Sequence, residues 1–429
     1  MAALRAGFGR SDITPRLGTL LVGYHAPDRR AEGVHDALLA RALVLEQGGE
    51  RWVLLSCDLC FVSLETTQAV RAAVQRRLDI PPDHVWVAAL HTHSGPDDLD
   101  AAAWDRPLAE LIADAVEQAC AALRPARIGS GFGTLYGYSI NRRWLERPVD
   151  PAVLAVRIDD MDGKLLGLVT GFACHAVVMG SDNRQVSADW PGRACQILEQ
   201  TWGVGSTCLF FQGGCGDINP LVAGVRSRMK SGHTVVSIGD ISAYYGPKDD
   251  PARWNIGNRG GGTFTEVDEV AQAFAAEVQR VAAGVHTRMV DSVWSEQLVV
   301  DALRNPDEPR IAQSRPFDAL DPATLMDAQG RLPAEIMLLA VDGLLLVGEP
   351  GEVFSETAVR FRTELQHLGY ATPFLVGYAN GRLDYLPEPR AYDEGGYEVT
   401  YPFYMGISRH FQGRIWQAVE AALRAREEG

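Results

Sequence analysis

The feature that most limits this fold is an alternation sustained over most of the 429 residues: strand-length apolar runs between stretches of helical period. The runs at 51–57, 84–90, 153–158, 165–173, 208–211, 335–340, 344–348 and 373–378 are short and aliphatic, which predicts strands. Stretches 65–78, 108–123, 190–201, 266–283, 354–368 and 407–426 carry amphipathic helical patterns, which predicts helices. Elements in this order bury helices on sheet faces, so the fold class is α/β. Asp162-Gly163 and Asp342-Gly343 sit between adjacent runs and predict hairpins. Hairpins make neighbours antiparallel, so mixed layered β-sheets flanked by helices are expected rather than one parallel sheet. No linker composition or internal repeat interrupts the pattern, and a single large domain over 1–429 is expected. Segment 222–263 departs from it, being rich in Gly, Ser, Tyr and Trp with little periodicity. Loops that long in a compact domain are usually functional or disordered. A lid or substrate-facing insertion loop is expected there, with a plain surface excursion as the alternative.

Composition enters through what it removes. Lys and Arg number 40 against 55 Asp and Glu, for a net charge of −15. Phosphate neutralisation needs clustered cations, which excludes nucleic acid and anionic membranes as partners. The start, MAALRAGFGRSDITP, lacks the apolar run of a signal peptide. No stretch reaches the ~20 apolar residues of a transmembrane segment. A cytoplasmic location is the expectation. The seven cysteines lie mostly in apolar runs and read as free buried thiols of a reducing compartment. Cys57 and Cys60 have a redox or metal spacing, but no second pair follows at zinc-finger distance.

The polar clusters share a position. His91 and His93 follow one strand, His175 another, the GGCGDINP loop at 213–220 a third, Glu352 a fourth and Tyr385 a fifth. Ligands of open α/β sheets bind beyond the carboxyl ends of strands, so five such loops can converge. In an extended segment residues two apart point to one side. Both imidazoles of His91-Thr92-His93 can therefore face one metal, or one can bind it while the other works behind it. A hydrogen-bonded pair of loop histidines is the alternative. Ser94-Gly95-Pro96 then forces a turn.

Taken singly, the other residues have plainer readings. His175 reads as a satisfied core imidazole. Glu349 and Glu352 read as carboxylates at the N-terminus of the next helix. Asp189 reads as an N-cap before Pro191. Arg142 and Arg143 read as surface charges. GGCGDINP lacks both a Walker lysine and a G-x-G-x-x-G pattern, so no phosphate role is expected.

Together, however, the segments resemble the catalytic domain of the neutral/alkaline non-lysosomal ceramidase family. The matching stretches are Gly9-Arg10-Ser11-Asp12-Ile13-Thr14, Gly33-Val34-His35 with Ala40-Arg41-Ala42, and His91-Thr92-His93-Ser94-Gly95-Pro96. Ser139-Ile140-Asn141-Arg142, the strand before His175, Gly216-Asp217-Ile218-Asn219-Pro220, Pro350-Gly351-Glu352 and the run from Ala379-Asn380 to Tyr397 complete them. Their order runs through almost the whole chain, and HTHSGP with SINR and PGE is a specific combination. The resemblance implies one Zn2+ held by His91, His175, Glu352 and Tyr385. It implies that His93, Arg142 and Tyr397 line the reaction centre. The Tyr385 assignment rests on the preceding Ala379-Asn380 and on the step from Tyr385 to Tyr397.

Asn219 departs from the family, which carries a serine at that point of Gly-Asp-Val-Ser-Pro-Asn. A carboxamide is not a usable nucleophile, so a serine mechanism is excluded there, while a metal-and-water mechanism needs no such side chain. The family's secretion signal and C-terminal immunoglobulin-like domain find no match, and a catalytic domain alone is expected. The function implied is a zinc-dependent hydrolase cleaving the amide bond of a small-molecule N-acyl substrate, ceramidase-like, with membrane ceramide a poor fit. A zinc esterase or lactonase would use the same chemistry. A non-catalytic metal-containing binding protein is the third reading, favoured by Asn219 and opposed by His93, Arg142 and Tyr397. Oligomeric state is not legible.

Overall fold

Which neighbour each strand residue meets decides how the layers stack. In Leu39–Gln47 and Glu50–Cys57, Ala42, Val44, Val53 and Leu55 join one apolar cluster, while Leu43, Leu45, Trp52 and Leu54 join another. A two-residue period with both faces apolar requires cover on both sides of the sheet. The computed structural model describes residues 3–24, 26, 28–144, 147–203, 206–222, 262–308, 315–316 and 319–428, and it supplies both covers.

The larger sheet has eight strands in the order Thr207–Gln212, Leu165–Phe172, Ala152–Asp160, Arg124–Thr134, Arg5–Asp12, Leu39–Gln47, Glu50–Cys57, Val85–Ala89. The outermost pair at each edge is parallel and the pairs between are antiparallel. One face carries helices Leu64–Leu78, Leu108–Ala121, Asp189–Trp202 and Phe264–Gly284. The other meets a four-stranded sheet, Val293–Asp301, Pro333–Val341, Leu344–Gly348 and Thr372–Val376. Trp86, Leu154 and Phe211 of the large sheet pack there with Met337, Leu346 and Phe374 of the small one. Ile336, Leu338, Leu345 and Val347 point the opposite way, beneath Phe361, Leu365, Ile415 and Val419 of helices Ser355–His367 and Phe411–Glu428. The result is one continuous helix–sheet–sheet–helix stack.

Mixed, layered sheets flanked by helices are thus the observed class. Both Asp-Gly hairpins form, joining antiparallel strands. The strand Arg124–Thr134 had no aliphatic run to announce it. Its Gly129, Gly131 and Gly133 share the face under the helix Phe264–Gly284, and a Cβ at Gly133 would lie 2.5 Å from Val281 Cγ2. Glycine there permits close helix approach, at the cost of the apolar signal. The last predicted helix begins later, at Phe411, because Tyr397–Met405 forms its own helix and ends at Gly406 with φ 72°. The expected lid at 222–263 lies outside the described residues except at Val222, Gly262 and Thr263. None of the seven cysteines, Cys57 and Cys60 included, is in a disulfide, and all but Cys120 are buried. Among the described residues no helix is long and apolar enough to cross a membrane.

Candidate metal centre

The site forms where strand ends of both sheets meet. Val85–Ala89, Leu165–Phe172 and Thr207–Gln212 of the large sheet lead to His91, His175 and the loop with Cys215; Leu344–Gly348 and Thr372–Val376 of the small sheet lead to Glu352 and Tyr385. His91 is not extended. Its φ is 71°, in the left-handed region, and its N–H donates to Leu59 O at 2.9 Å. The two imidazoles of the H-T-H segment still converge, with Nε2 atoms 3.1 Å apart, but a kink brings them together rather than a strand's period. Gln212 ties this segment to the next, donating through Nε2 to Leu90 O at 3.0 Å and Cys174 O at 2.8 Å. Gly23, at φ 94°, leaves room for His93; a Cβ there would sit 2.5 Å from His93 Cγ.

Donor chemistry follows from the carbonyls behind the rings. His91 Nδ1 lies 2.8 Å from Cys60 O, and His175 Nδ1 lies 2.6 Å from Cys215 O and 3.1 Å from Ile218 O. A carbonyl can only accept, so each Nδ1 carries the proton and each Nε2 presents a lone pair. Those Nε2 atoms reach Glu352 Oε2 at 3.6 Å from His91 and 3.2 Å from His175. Donors bonded to zinc at about 2.0–2.1 Å in a tetrahedron stand about 3.3 Å apart, so both carboxylate–imidazole spacings suit such an ion. Burial, with Glu352 opposing it, pushes the His91 imidazole down to about 3. Burial and the neighbouring Arg142 hold His175 well below the usual imidazole range. Burial and the other two imidazoles do the same to His93. All three stay neutral, as metal ligands must. Cys60, His91 and His93 form a second grouping. Its thiol sits 3.8 Å from His91 Nδ1, the nitrogen already committed to Cys60 O.

Tyr385 pairs with Glu352 across a short parallel bridge. Its hydroxyl accepts from Arg142 Nη2 at 2.9 Å. Arg142 Nη1 lies 3.3 Å from both His175 Nε2 and Asn219 Oδ1. Its Nε donates to Glu398 Oε1 at 2.9 Å, and Arg143 Nη1 donates to Glu398 Oε2 at 2.6 Å. Both arginines are buried, which corrects their reading as surface charges: Glu398 bridges the two cations inside the fold, and Glu394 lies 3.7 Å from Arg143 as a second carboxylate. Tyr397 is half-buried, one ring further out. It stands edge-on to Tyr385 at 5.7 Å, with its hydroxyl bonded to that of Tyr401.

Three plainer readings are also corrected. Glu352 lies in a two-residue strand rather than at the first turn of the next helix, which begins at Ser355. Glu349 is fully buried and accepts from Gln412 Nε2 at 2.8 Å. Asp189 is the first helical residue, at φ 54°, not the N-cap. Its carboxylate accepts from Val178 N at 3.2 Å and Met179 N at 2.9 Å, which fastens the loop after His175. Sequence reasoning passed over Tyr378, Gln212, Cys215 and Glu398. Each acts through partners distant in sequence; the signals on offer were the adjacency of Glu398 to Tyr397 and the place of Cys215 in the GGCGDINP loop.

Residues 4–238, more than half of the chain, match the family model described as neutral/alkaline non-lysosomal ceramidase, N-terminal. The chain belongs to this family. Among family relatives, the neutral ceramidase of Pseudomonas aeruginosa is 28% identical over 250 residues, covering 50% of this chain and 37% of that protein. The neutral ceramidase of Mycobacterium tuberculosis is 25% identical over 484 aligned residues, covering 92% of this chain and 73% of that protein. The match thus spans little more than a third of the Pseudomonas relative's length. The crystal structure of the Pseudomonas aeruginosa neutral ceramidase covers 100% of this chain and 75% of its own, with a TM-score of 0.77 and 21% identity. That likeness concerns the fold.

Proposed function

We propose that this family member is a zinc-dependent hydrolase that cleaves the amide bond of an N-acyl compound into a carboxylate and an amine. The observation that carries the reading is the convergence of His91 Nε2, His175 Nε2 and Glu352 Oε2, buried atoms within 4.8 Å of one another. The Tyr385 hydroxyl, on the strand paired with Glu352, is the fourth ligand of this reading. When bound, zinc supplies Lewis-acid polarisation of a carbonyl and activates water near pH ~7.

The chain's own residues do the rest. His93 is neutral and buried, with Nε2 beside that of His91. In this reading it orients the attacking water and relays that water's proton to the leaving amine without resting as a cation. Arg142, braced by Glu398, sets a fixed positive charge where the carbonyl oxygen gains negative charge. One preorganised donor of this kind is worth ~3 kcal/mol of barrier. Tyr397 shapes the approach beside Tyr385. Asn219 accepts from Arg142, so its carboxamide orients the guanidinium and need not attack anything.

The test pairs metal analysis with a panel of matched amides and esters. Wild type is expected to carry near-stoichiometric zinc and hydrolyse the amides, while His91→Ala and His175→Ala lose both. Near-stoichiometric zinc in both variants would sink the ligand assignment, and turnover of esters alone would replace the amidase with an esterase.

A further inference from the structure

The site joins residues from two sheets, so something must hold His91 of one at a set distance from Glu352 of the other. Tyr378 touches both. Its ring stacks on the His91 imidazole, with centroids 4.1 Å apart and planes 26° from parallel. Its hydroxyl donates to Glu352 Oε2 at 3.3 Å. It also lies 3.2 Å from Cys215 Sγ, and Cys215 O holds the Nδ1 proton of His175. One side chain therefore reaches the two histidines and the carboxylate, directly or through a single residue.

The backbone repeats the connection. Tyr378 N donates to Gly351 O and Ala89 N donates to Tyr378 O, each at 3.1 Å. Asn380 exchanges two 2.8 Å bonds with Val87, one through each N–H. Tyr378 and Asn380 both have positive φ, 57° and 61°. An aromatic residue in the left-handed region costs of order 1–3 kcal/mol and persists where its surroundings demand it. Here the demand is visible: the kink turns the chain off the strand Thr372–Val376 and onto the end of Val85–Ala89, with the ring against His91 and the hydroxyl at Glu352.

The geometry points to Tyr378 as the positioning residue of the metal centre, holding His91 and the Glu352 carboxylate at ligating separation without itself touching the substrate. This rests on the zinc reading above. Groups that orient metal ligands change metal affinity by about 10–100-fold when removed. Tyr378→Phe keeps the ring stack and deletes the hydroxyl. It is expected to weaken zinc binding about 10–100-fold, measured by competition with a chromophoric chelator. Thermal unfolding of the chelated variant should match that of chelated wild type. Wild-type zinc affinity in Tyr378→Phe overturns the inference, as does weakened affinity accompanied by an equal loss of metal-free stability. Should Tyr378→Phe not fold, Cys215→Ala removes the thiol beside the hydroxyl and is expected to weaken zinc binding several-fold; unchanged affinity there overturns the inference as well. Wild type that binds no zinc refutes the zinc reading itself, a distinct result.

Discussion

Glu349→Gln is expected to stabilise the protein at neutral and alkaline pH and to do nothing in mild acid. Glu349 is fully buried, and burial pushes its carboxyl from an ordinary 4.5 up to about 7, with Gln412 opposing. Its Oε2 accepts from Gln412 Nε2 at 2.8 Å, while its own Oε1 and Gln412 Oε1 are both buried without a partner. A proton on Glu349 Oε1 supplies the donor those two acceptors lack, and a glutamine amide supplies it permanently. The sign follows from proton counts. Below about 4.5 folded and unfolded chains are both protonated and the group is neutral to stability. Between 4.5 and about 7 the unfolded chain releases the proton while the folded chain keeps it, so stability falls as pH rises and levels off above about 7. At 1.36 kcal/mol per pH unit the loss is about 3 kcal/mol. Urea unfolding of chelated wild type and Glu349→Gln at about pH 4 and about pH 8 tests this. The variant's advantage should grow by about 3 kcal/mol across that interval. A difference that does not move with pH would refute the buried, proton-carrying carboxyl.

Two further substitutions probe the arginines. Arg142→Lys cannot hold Glu398, Asn219 and Tyr385 at once, since a point charge lacks the guanidinium's fork. Steady-state kinetics on the best amide substrate should show kcat down ~10²-fold with zinc content unchanged, and a loss of only ~2-fold would remove Arg142 from the reaction centre. Asp58→Asn removes the carboxylate that now accepts from Arg41 Nη1 at 2.7 and 3.0 Å inside the fold, leaving Glu199, 3.4 Å from Nε, as its more distant counter-charge. Breaking a buried pair in this way costs about 3–5 kcal/mol, so a urea-unfolding change under about 1 kcal/mol would show the pair to be dispensable.

The elements that sequence reasoning found are those whose signal is local. The hairpins at 159–163 and 341–343 were legible because an Asp-Gly turn is a property of adjacent residues. The strand Arg124–Thr134 was not, because its glycines answer to a helix far along the chain. At the site, His91, His175 and Glu352 stood out through family motifs, and the structure brings them together. Tyr397 shared that standing yet sits beside Tyr385 rather than among the imidazoles.

By itself, then, the sequence determined the α/β class and the residue types able to ligate a metal. Periodicity and turn chemistry act over a few residues, motif order is written along the chain itself, and all three survive without a fold. Only tertiary structure decided which strands make up each of the two stacked sheets, that Arg142 and Arg143 are buried around Glu398, and that His91 and Tyr378 adopt left-handed backbone. Each of these depends on partners distant in the chain. A buried charge or a strained φ persists where contacts assembled by the whole fold compensate it.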